Sequence, residues 1–176
     1  MNLITRIVIA AAIILVIVYL SPEAERDDQG KIVSEGSLGI FSVKVGDCLK
    51  QSISKDSKYE ELGNVVVVPC NEPHESEVYH EKVNFPLFDK NEFPENKEEI
   101  SEELYNYCLV NLYLNYSFIY DENFELHPRY SNLGIIYFFP TKTSWMTQND
   151  KKVQCLLENT TGKNLIGKFS ETVSGF

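Results

Sequence analysis

The sequence predicts an α+β fold, in which one main helix packs on a mostly antiparallel, disulfide-stapled sheet behind an N-terminal transmembrane helix. Three observations lead to this prediction. Several short runs alternate apolar and polar residues or are wholly β-branched, which is typical of strands. One long stretch carries a single apolar stripe at helical spacing. All four cysteines follow an apolar N-terminal run, which indicates a disulfide-bonded, exported domain.

The N-terminal run is unbroken and apolar from Ile7 to Leu20, with Arg6 before it and acidic residues after it. As a helix it is about 21 Å long, or about 27 Å counted from Leu3, against a hydrocarbon core of ~30 Å. Small residues at the −3 and −1 positions of a cleavage site are poorly placed, so we favour an uncleaved anchor over a cleaved signal peptide. In both cases the domain is exported and the positive flank stays in the cytoplasm.

Length and charge limit the number of domains and the kinds of partner. The 176 residues suffice for one domain, and a net charge of −10 makes nucleic-acid binding improbable. We divide the chain into a cytoplasmic stub (1–6), an anchor (7–21), a polar linker (22–37), the exported domain (38–170) and a tail (171–176).

The first half of the domain is predicted to contain three strands. Residues 38–49 alternate apolar and polar side chains and include a turn at Gly46-Asp47. Residues 64–70 form a β-branched run, which suits a central, buried strand. Residues 76–83 are the next strand.

A proline-containing loop over 84–96 leads to the strongest helix signal, at 97–115. Its predicted buried stripe has i, i+4 spacing and consists of Ile100, Leu104, Cys108 and Leu112. Glutamates in its first turns suit the helix dipole. Residues 133–140 are predicted as a buried strand, 141–150 as a loop, 151–158 as a strand and 165–169 as a last short strand.

The stretch VVVVPCNEPHESEVY, residues 65–79, raises the question of chemistry, because it holds a cysteine, a histidine and two well-placed carboxylates. Cys70 with His74 would suit a nucleophilic pair, but no third group is identifiable. The same two residues would supply only half of a zinc site. Two acidic stretches, at 89–94 and 121–126, lack the glycine that an EF-hand loop needs. The simpler interpretation is a turn between two strands.

In that interpretation Pro69 and Pro73 build the turn, and His74 bonds within it or to Glu77. No catalytic residue, metal ligand or cofactor is assigned. Trp145 is interpreted as a loop anchor at the edge of the core, with ligand stacking as its alternative role. The rival hypothesis is a secreted ligand-binding protein or hydrolase that uses a cluster of His74, Glu75 and Glu77. Four cysteines allow three disulfide pairings, and composition and spacing leave them open.

The motifs together resemble the septum formation domain family of actinobacterial envelope proteins. The resemblance covers about residues 43–158 and rests on VGDCL at 45–49, VVPC at 67–70, PH and SEVY within 73–79, a helical cysteine, FP at 139–140, the tryptophan and VQCLL at 153–157. The family usually has Gly-Asp after the tryptophan, where this chain has Asn149-Asp150. An asparagine tolerates the left-handed conformation, so the match stands.

The resemblance implies a membrane-anchored or secreted domain linked to division-site or cell-wall processes, without enzymatic activity. The family-motif residues would then shape turns: Gly46, Asp47, Pro69, Pro73, His74, Glu77 and Trp145. We predict disulfides Cys48–Cys70, between two strand ends, and Cys108–Cys155, between the helix stripe and the inward face of a late strand. The expected function is that of an extracytoplasmic interaction or sensor domain in the cell membrane, single-pass with a cytoplasmic N-terminus, or else secreted. Its expected partner is an envelope or division-site protein.

Overall fold

A computed structural model describes residues 22–50, 64–123 and 125–169. The predicted stub and anchor (1–21) and the tail (171–176) lie outside these residues. Within the described ranges, no helix is both long enough and apolar enough to span a bilayer.

The described residues form an α+β fold around one antiparallel sheet, as the sequence predicts. The strands are β1 (Gly36–Gly39), β2 (Cys48–Leu49), β3 (Asn64–Val68), β4 (Ser76–Lys82), β5 (Leu133–Phe138) and β6 (Val153–Asn159). Their order across the sheet is β1-β3-β2-β4-β6-β5, and every neighbouring pair is antiparallel.

The main helix, α1 (Lys97–Asn115), has the bounds that the sequence predicts, and its predicted stripe is buried. The side chain of Asn96 caps its N-terminus by accepting a hydrogen bond from the backbone N–H of Glu99. The helix contacts β4 and β5. Tyr79 of β4 donates its hydroxyl proton to the carbonyl oxygen of Cys108 at 2.6 Å, which ties the helix to the sheet.

The prediction of one strand over 38–49 is wrong. The chain leaves β1 at Gly39, makes a single 3-10 turn over Ile40–Ser42 and enters β2 only at Cys48. The reason is topological: β1 and β2 both pair with β3, on its two opposite sides. One straight strand cannot occupy both sides of its neighbour, so the intervening residues must cross over.

The segment predicted as a linker, 22–37, packs against the domain, and β1 begins inside it. Ala24 is buried beside Gly36, where an added Cβ would stand 2.4 Å from the Ala24 backbone nitrogen. Glu23 forms an isolated β-bridge with Ser37. The backbone N–H of Ala24 donates to the Ser37 carbonyl, and the backbone N–H of Ser37 donates to the Pro22 carbonyl. The polar composition of this segment reflects its outward side chains, while its backbone covers the edge of β1.

The predicted loop over 141–150 is also wrong, because it contains a second helix, α2 (Lys142–Gln148). A capping box begins it: the Thr141 and Ser144 side chains each accept the other residue's backbone N–H at 3.0 Å. Asn149 ends it in the left-handed conformation, with φ 52°. The asparagine therefore takes the left-handed position at the helix C-terminus that glycine most often occupies.

Two strand predictions need smaller corrections. β5 lies at an edge of the sheet, and five of its six residues are half-buried rather than buried. The last strand expected at 165–169 is reduced to one bridge between Leu165 and His74. β6, by contrast, is buried on both faces over Val153–Leu157 because it lies between β4 and β5.

Candidate functional site

The motif residues from separate parts of the chain meet around the disulfide between Cys48 and Cys70, whose Cα atoms are 5.3 Å apart. Cys48 begins β2 and is fully buried, whereas Cys70 follows β3 and is half-buried. A second disulfide joins Cys108 of α1 to Cys155 of β6, and both cysteines are fully buried. These are the two pairings that the strand and helix positions predict.

The Gly46-Asp47 turn presents a buried carboxylate to a cation. Gly46 adopts φ 87°, a conformation that favours glycine. Asp47 is 4% exposed and accepts the backbone N–H of Lys44 at 2.7 Å. Arg26 adds two parallel hydrogen bonds to the two carboxylate oxygens, at 2.8 and 2.6 Å. The aspartate is therefore a structural anchor for the segment that precedes β1.

His74 is fully buried at the start of the next strand. Its Nδ1 lies 2.9 Å from the carbonyl oxygen of Glu72. A carbonyl only accepts, so Nδ1 carries the proton and Nε2 carries the lone pair. Nε2 is buried and has no hydrogen-bond partner among the described residues. Burial lowers the pKa of this imidazole, so it is neutral at pH 7.

Glu77 is 1% exposed, and its Oε2 accepts the backbone N–H of Phe169 at 2.6 Å. Burial of Tyr116 raises the pKa of that phenol, and the nearby Glu77 raises it further. The strand therefore carries a carboxyl acceptor into the interior, where the end of the described chain supplies a donor.

The segment from Leu165 to Phe169, here called the C-terminal clasp, closes over this site. Leu165 exchanges two backbone hydrogen bonds with His74, at 2.6 and 3.0 Å. The backbone N–H of Gly167 bonds to the Cys70 carbonyl at 2.7 Å. The clasp therefore contacts the histidine, a disulfide cysteine and the glutamate in succession.

Cys48, His74 and Glu77 converge most closely. The Cys48 sulfur, one ring nitrogen of His74 and one carboxylate oxygen of Glu77 all lie within 4.8 Å of one another. Sulfur, imidazole and carboxylate are the ligand types that zinc prefers. While Cys48 is in the disulfide it has no thiolate, so the cluster lacks its sulfur ligand in this form.

Glu75, the third member of the cluster in the rival hypothesis, is not part of this convergence. Glu75 is half-buried and lines a different, small cavity of about 40 Å³, beside Ser76. Trp145 lies in another hydrophobic cluster, where its Nε1–H donates to the Phe88 carbonyl at 2.8 Å. It therefore anchors α2 to the core edge, while one side lines an open groove of about 650 Å³. Neither His74 nor Glu77 lines that groove.

Pro69 and Pro73 contribute differently to the turn between β3 and β4. The Pro69 carbonyl accepts the Glu72 backbone N–H at 2.9 Å and closes the turn, as expected. Pro73 is exposed and restricts the residue before it.

Comparison with protein-family models, curated proteins and solved structures gives no match. The resemblance to septum formation domains therefore depends on the sequence motifs, and the geometry of the site must support any functional inference.

A second surface feature lies on the outer face of α1. Positions 99, 103, 106, 110 and 114 follow one another at three- or four-residue spacing, and all are exposed. The stripe begins with Glu99 and Glu103 and ends with Val110 and Leu114, which are 55% and 69% exposed. Phe118, 45% exposed just beyond the helix, lies one further step along in sequence. We call these residues the α1 outer stripe.

Three parts of these sites were not predicted from the sequence: Arg26, the α1 outer stripe and the contacts of the C-terminal clasp. Two of the three nevertheless have a signal in the sequence. Arg26 has a usable signal, since a lone arginine in an acidic segment suggests a carboxylate partner. The second half of the α1 outer stripe also has a signal, since Val110 and Leu114 are apolar residues outside the predicted buried stripe. The clasp has no such signal, because its contacts to Cys70 and Glu77 run through the backbone.

Proposed function

We propose that this protein is a non-catalytic interaction domain that is held on the outer side of the membrane by its N-terminal apolar segment. It binds a cell-envelope partner through the α1 outer stripe. The observation that carries the proposal is the exposure of Val110 and Leu114 one helical turn apart on the outer face of α1, with the exposed Phe118 following in sequence. Contiguous exposed apolar side chains commonly mark protein-interaction surfaces.

The stripe also indicates the chemistry of the partner. Its first half is acidic and its second half is apolar, so a complementary helix would present basic residues at one end and apolar residues at the other. The acid at Glu103 would steer and orient the partner, and Leu114 would provide buried contact area.

The cellular setting is supported by the order of features along the chain. A positive flank and an apolar run precede a domain with two disulfides, and disulfides persist mainly in exported proteins. The resemblance to septum formation domains points to division-site or cell-wall processes. The burial of His74 argues against the rival hydrolase, since a substrate cannot reach a fully buried imidazole.

Site-specific photo-crosslinking of the full chain in its native host tests the proposal. A photoreactive side chain at Leu114 should give a protein adduct, whereas the same group at Met146, 67% exposed on α2, should not. Val110→Asp and Glu103→Lys should each weaken the Leu114 adduct about tenfold or more, corresponding to ~1.4 kcal/mol.

Both substitutions are at exposed positions and should change folding stability by no more than about 0.5 kcal/mol. Equal adducts from Leu114 and Met146 would contradict the proposal. Adducts formed with lipid alone would instead assign the stripe to the membrane surface.

A further inference from the structure

We propose that reduction of the Cys48–Cys70 disulfide converts the buried cluster into a zinc site with ligands from Cys48, Cys70, His74 and Glu77. This goes beyond the interaction role and does not depend on it. The ligand would be a divalent zinc ion or a close substitute such as cobalt or cadmium, because two thiolates and an imidazole favour these metals.

The first supporting observation is the convergence of three ligand types. Cys48, His74 and Glu77 are all buried, and their ligand atoms lie within 4.8 Å of one another. Bonds of about 2.3 Å to sulfur and about 2.0 Å to nitrogen and oxygen would place tetrahedral ligand atoms roughly 3.5 Å apart. The required contraction is thus about 1 Å, and release of the disulfide lets the Cys48 side chain rotate.

The second, independent observation is the state of His74. Its Nδ1–H is already directed to the Glu72 carbonyl, and its buried Nε2 lone pair has no partner among the described residues. Metal-bound histidines typically have this arrangement, in which one nitrogen donates to a carbonyl and the other holds the metal. A buried lone pair without a donor is costly, and a cation would satisfy it.

Glu77 can join the site while its Oε2 keeps the hydrogen bond from Phe169. A carboxylate has two oxygens and about four acceptor positions. Oε2 accepts the Phe169 N–H, and the same group can also coordinate a metal. Zinc would therefore leave the C-terminal clasp in place.

The disulfide is accessible from one side. Cys70 is half-buried and lines a surface pocket of about 220 Å³ with Lys31 and Lys168. Positive charge beside the pocket favours an approaching thiolate. The Cys108–Cys155 disulfide has no exposed sulfur-bearing residue, so a reductant reaches it only after opening of the fold.

The reaction balances with an external dithiol as reductant. One reductant thiolate attacks the Cys70 sulfur, which breaks the S–S bond and releases Cys48 as a thiolate. The second thiolate of the reductant then attacks the reductant's sulfur in the mixed disulfide. This step closes the reductant's own disulfide and releases Cys70 as a thiolate. Two electrons pass to the protein, the reductant becomes a disulfide, and both reductant protons go to solvent when zinc binds the two thiolates.

The test uses the full chain in detergent with one equivalent of a phosphine reductant, which becomes phosphine oxide with oxygen from water. Differential alkylation should show Cys48 and Cys70 reduced and the other pair intact. After gel filtration, the reduced chain should retain one zinc ion, measured by mass spectrometry, and the oxidised chain none. Failure of the reduced, folded chain to retain zinc would overturn the proposal.

Variants identify the ligands. His74→Gln and Glu77→Gln should each weaken zinc binding by more than the roughly 10–100-fold that loss of a supporting partner costs. Glu75→Gln, at the neighbouring half-buried position, is the matched control and should bind as the native chain does. Unchanged zinc binding in both ligand variants would overturn the assignment.

One readout needs no substitution at the site. The cadmium-113 resonance of the reduced native chain should fall in the range of a mixed two-sulfur site. A four-sulfur resonance would show that an unfolded chain had gathered all four cysteines, and it would overturn the proposal. Near-ultraviolet circular dichroism of the same sample records whether tertiary packing is kept.

Discussion

Arg26 holds Asp47 in a bidentate ion pair, with Nη1 2.8 Å from Oδ1 and Nη2 2.6 Å from Oδ2, although the residues are 21 positions apart. The guanidinium also donates to the carbonyl oxygens of Gly30 and Ser42. The pair thus joins the segment before β1 to the turn before β2. It makes residues 22–37 part of the domain rather than a spacer.

Arg26→Ala should therefore destabilise the fold by about 3 kcal/mol, because it leaves the 4% exposed carboxylate of Asp47 without its counter-ion. Urea denaturation measures this change in free energy of unfolding. Lys50→Ala is the matched control, since Lys50 and Glu35 form an exposed pair worth about 0–1 kcal/mol. Equal losses in the two variants would contradict a structural role for the buried pair.

The two disulfides should differ in their contribution to stability. They close segments with sequence separations of 22 and 47 residues, for which chain entropy gives about 3 and about 4 kcal/mol. We expect Cys48→Ala/Cys70→Ala to lose the smaller amount and Cys108→Ala/Cys155→Ala the larger. Guanidinium denaturation of both double variants under oxidising conditions measures the difference. A reversed order would mean that packing around the sulfurs outweighs loop closure.

Stability should fall as the pH is lowered from about 6.5. Burial lowers the pKa values of His74 and His80 below that of an unfolded histidine, ~6.5. Below pH 6.5 the unfolded chain therefore binds more protons than the native chain, so acid favours unfolding until the native pKa values are passed. The stabilisation is fully present above pH 6.5. Each histidine adds up to ~1.4 kcal/mol per pH unit to the slope.

His74→Gln should reduce that slope, and His74→Gln/His80→Gln should reduce it further, as measured by denaturation between pH 7.5 and 5. A slope that survives in the double variant would assign the pH dependence to carboxylates instead. His74→Ala should cost about 1–3 kcal/mol at pH 7.5, since the Glu72 carbonyl loses its donor. Partner binding per folded molecule should be kept; its loss without a stability change would make the histidine a binding residue.

The cap of α2 should be worth about 1 kcal/mol. Thr141→Ala removes the side-chain oxygen that accepts the Ser144 N–H, and loss of such a cap costs ~0.5–2 kcal/mol. Thr143→Ala, at an exposed position inside the helix, is the control and should be nearly neutral. Thermal denaturation compares the two variants. A larger loss from Thr143→Ala would show that the capping box does not begin the helix.

The N-terminal apolar run should anchor the protein. We expect the full-length chain to sediment with membranes and to resist carbonate extraction, since residues 7–20 provide an unbroken apolar segment. Mass spectrometry of the mature N-terminus checks the same point. A soluble form beginning near Ser21 or Glu25 would support cleavage of a signal peptide instead.

Local periodicity let the sequence determine the α1 helix, its buried stripe from Ile100 to Leu112, and most of β3, β4 and β6. These features depend on residues that are close together in the sequence, so the spacing of apolar residues is enough to predict them. The predicted disulfide between Cys108 on this stripe and Cys155 at an inward strand position agrees with the structure.

Only the tertiary structure decided how these elements meet. The passage from β1 to β2 crosses to the other side of β3, and no alternation of residues within 38–49 encodes that crossing. The bonds from Arg26 to Asp47 and from Phe169 to Glu77 span 21 and 92 positions. The bond to Glu77 uses the backbone N–H of Phe169. Every residue except proline has such a donor, so this one cannot be recognised from the sequence. Such contacts depend on chain topology, because the fold must first bring the two ends together.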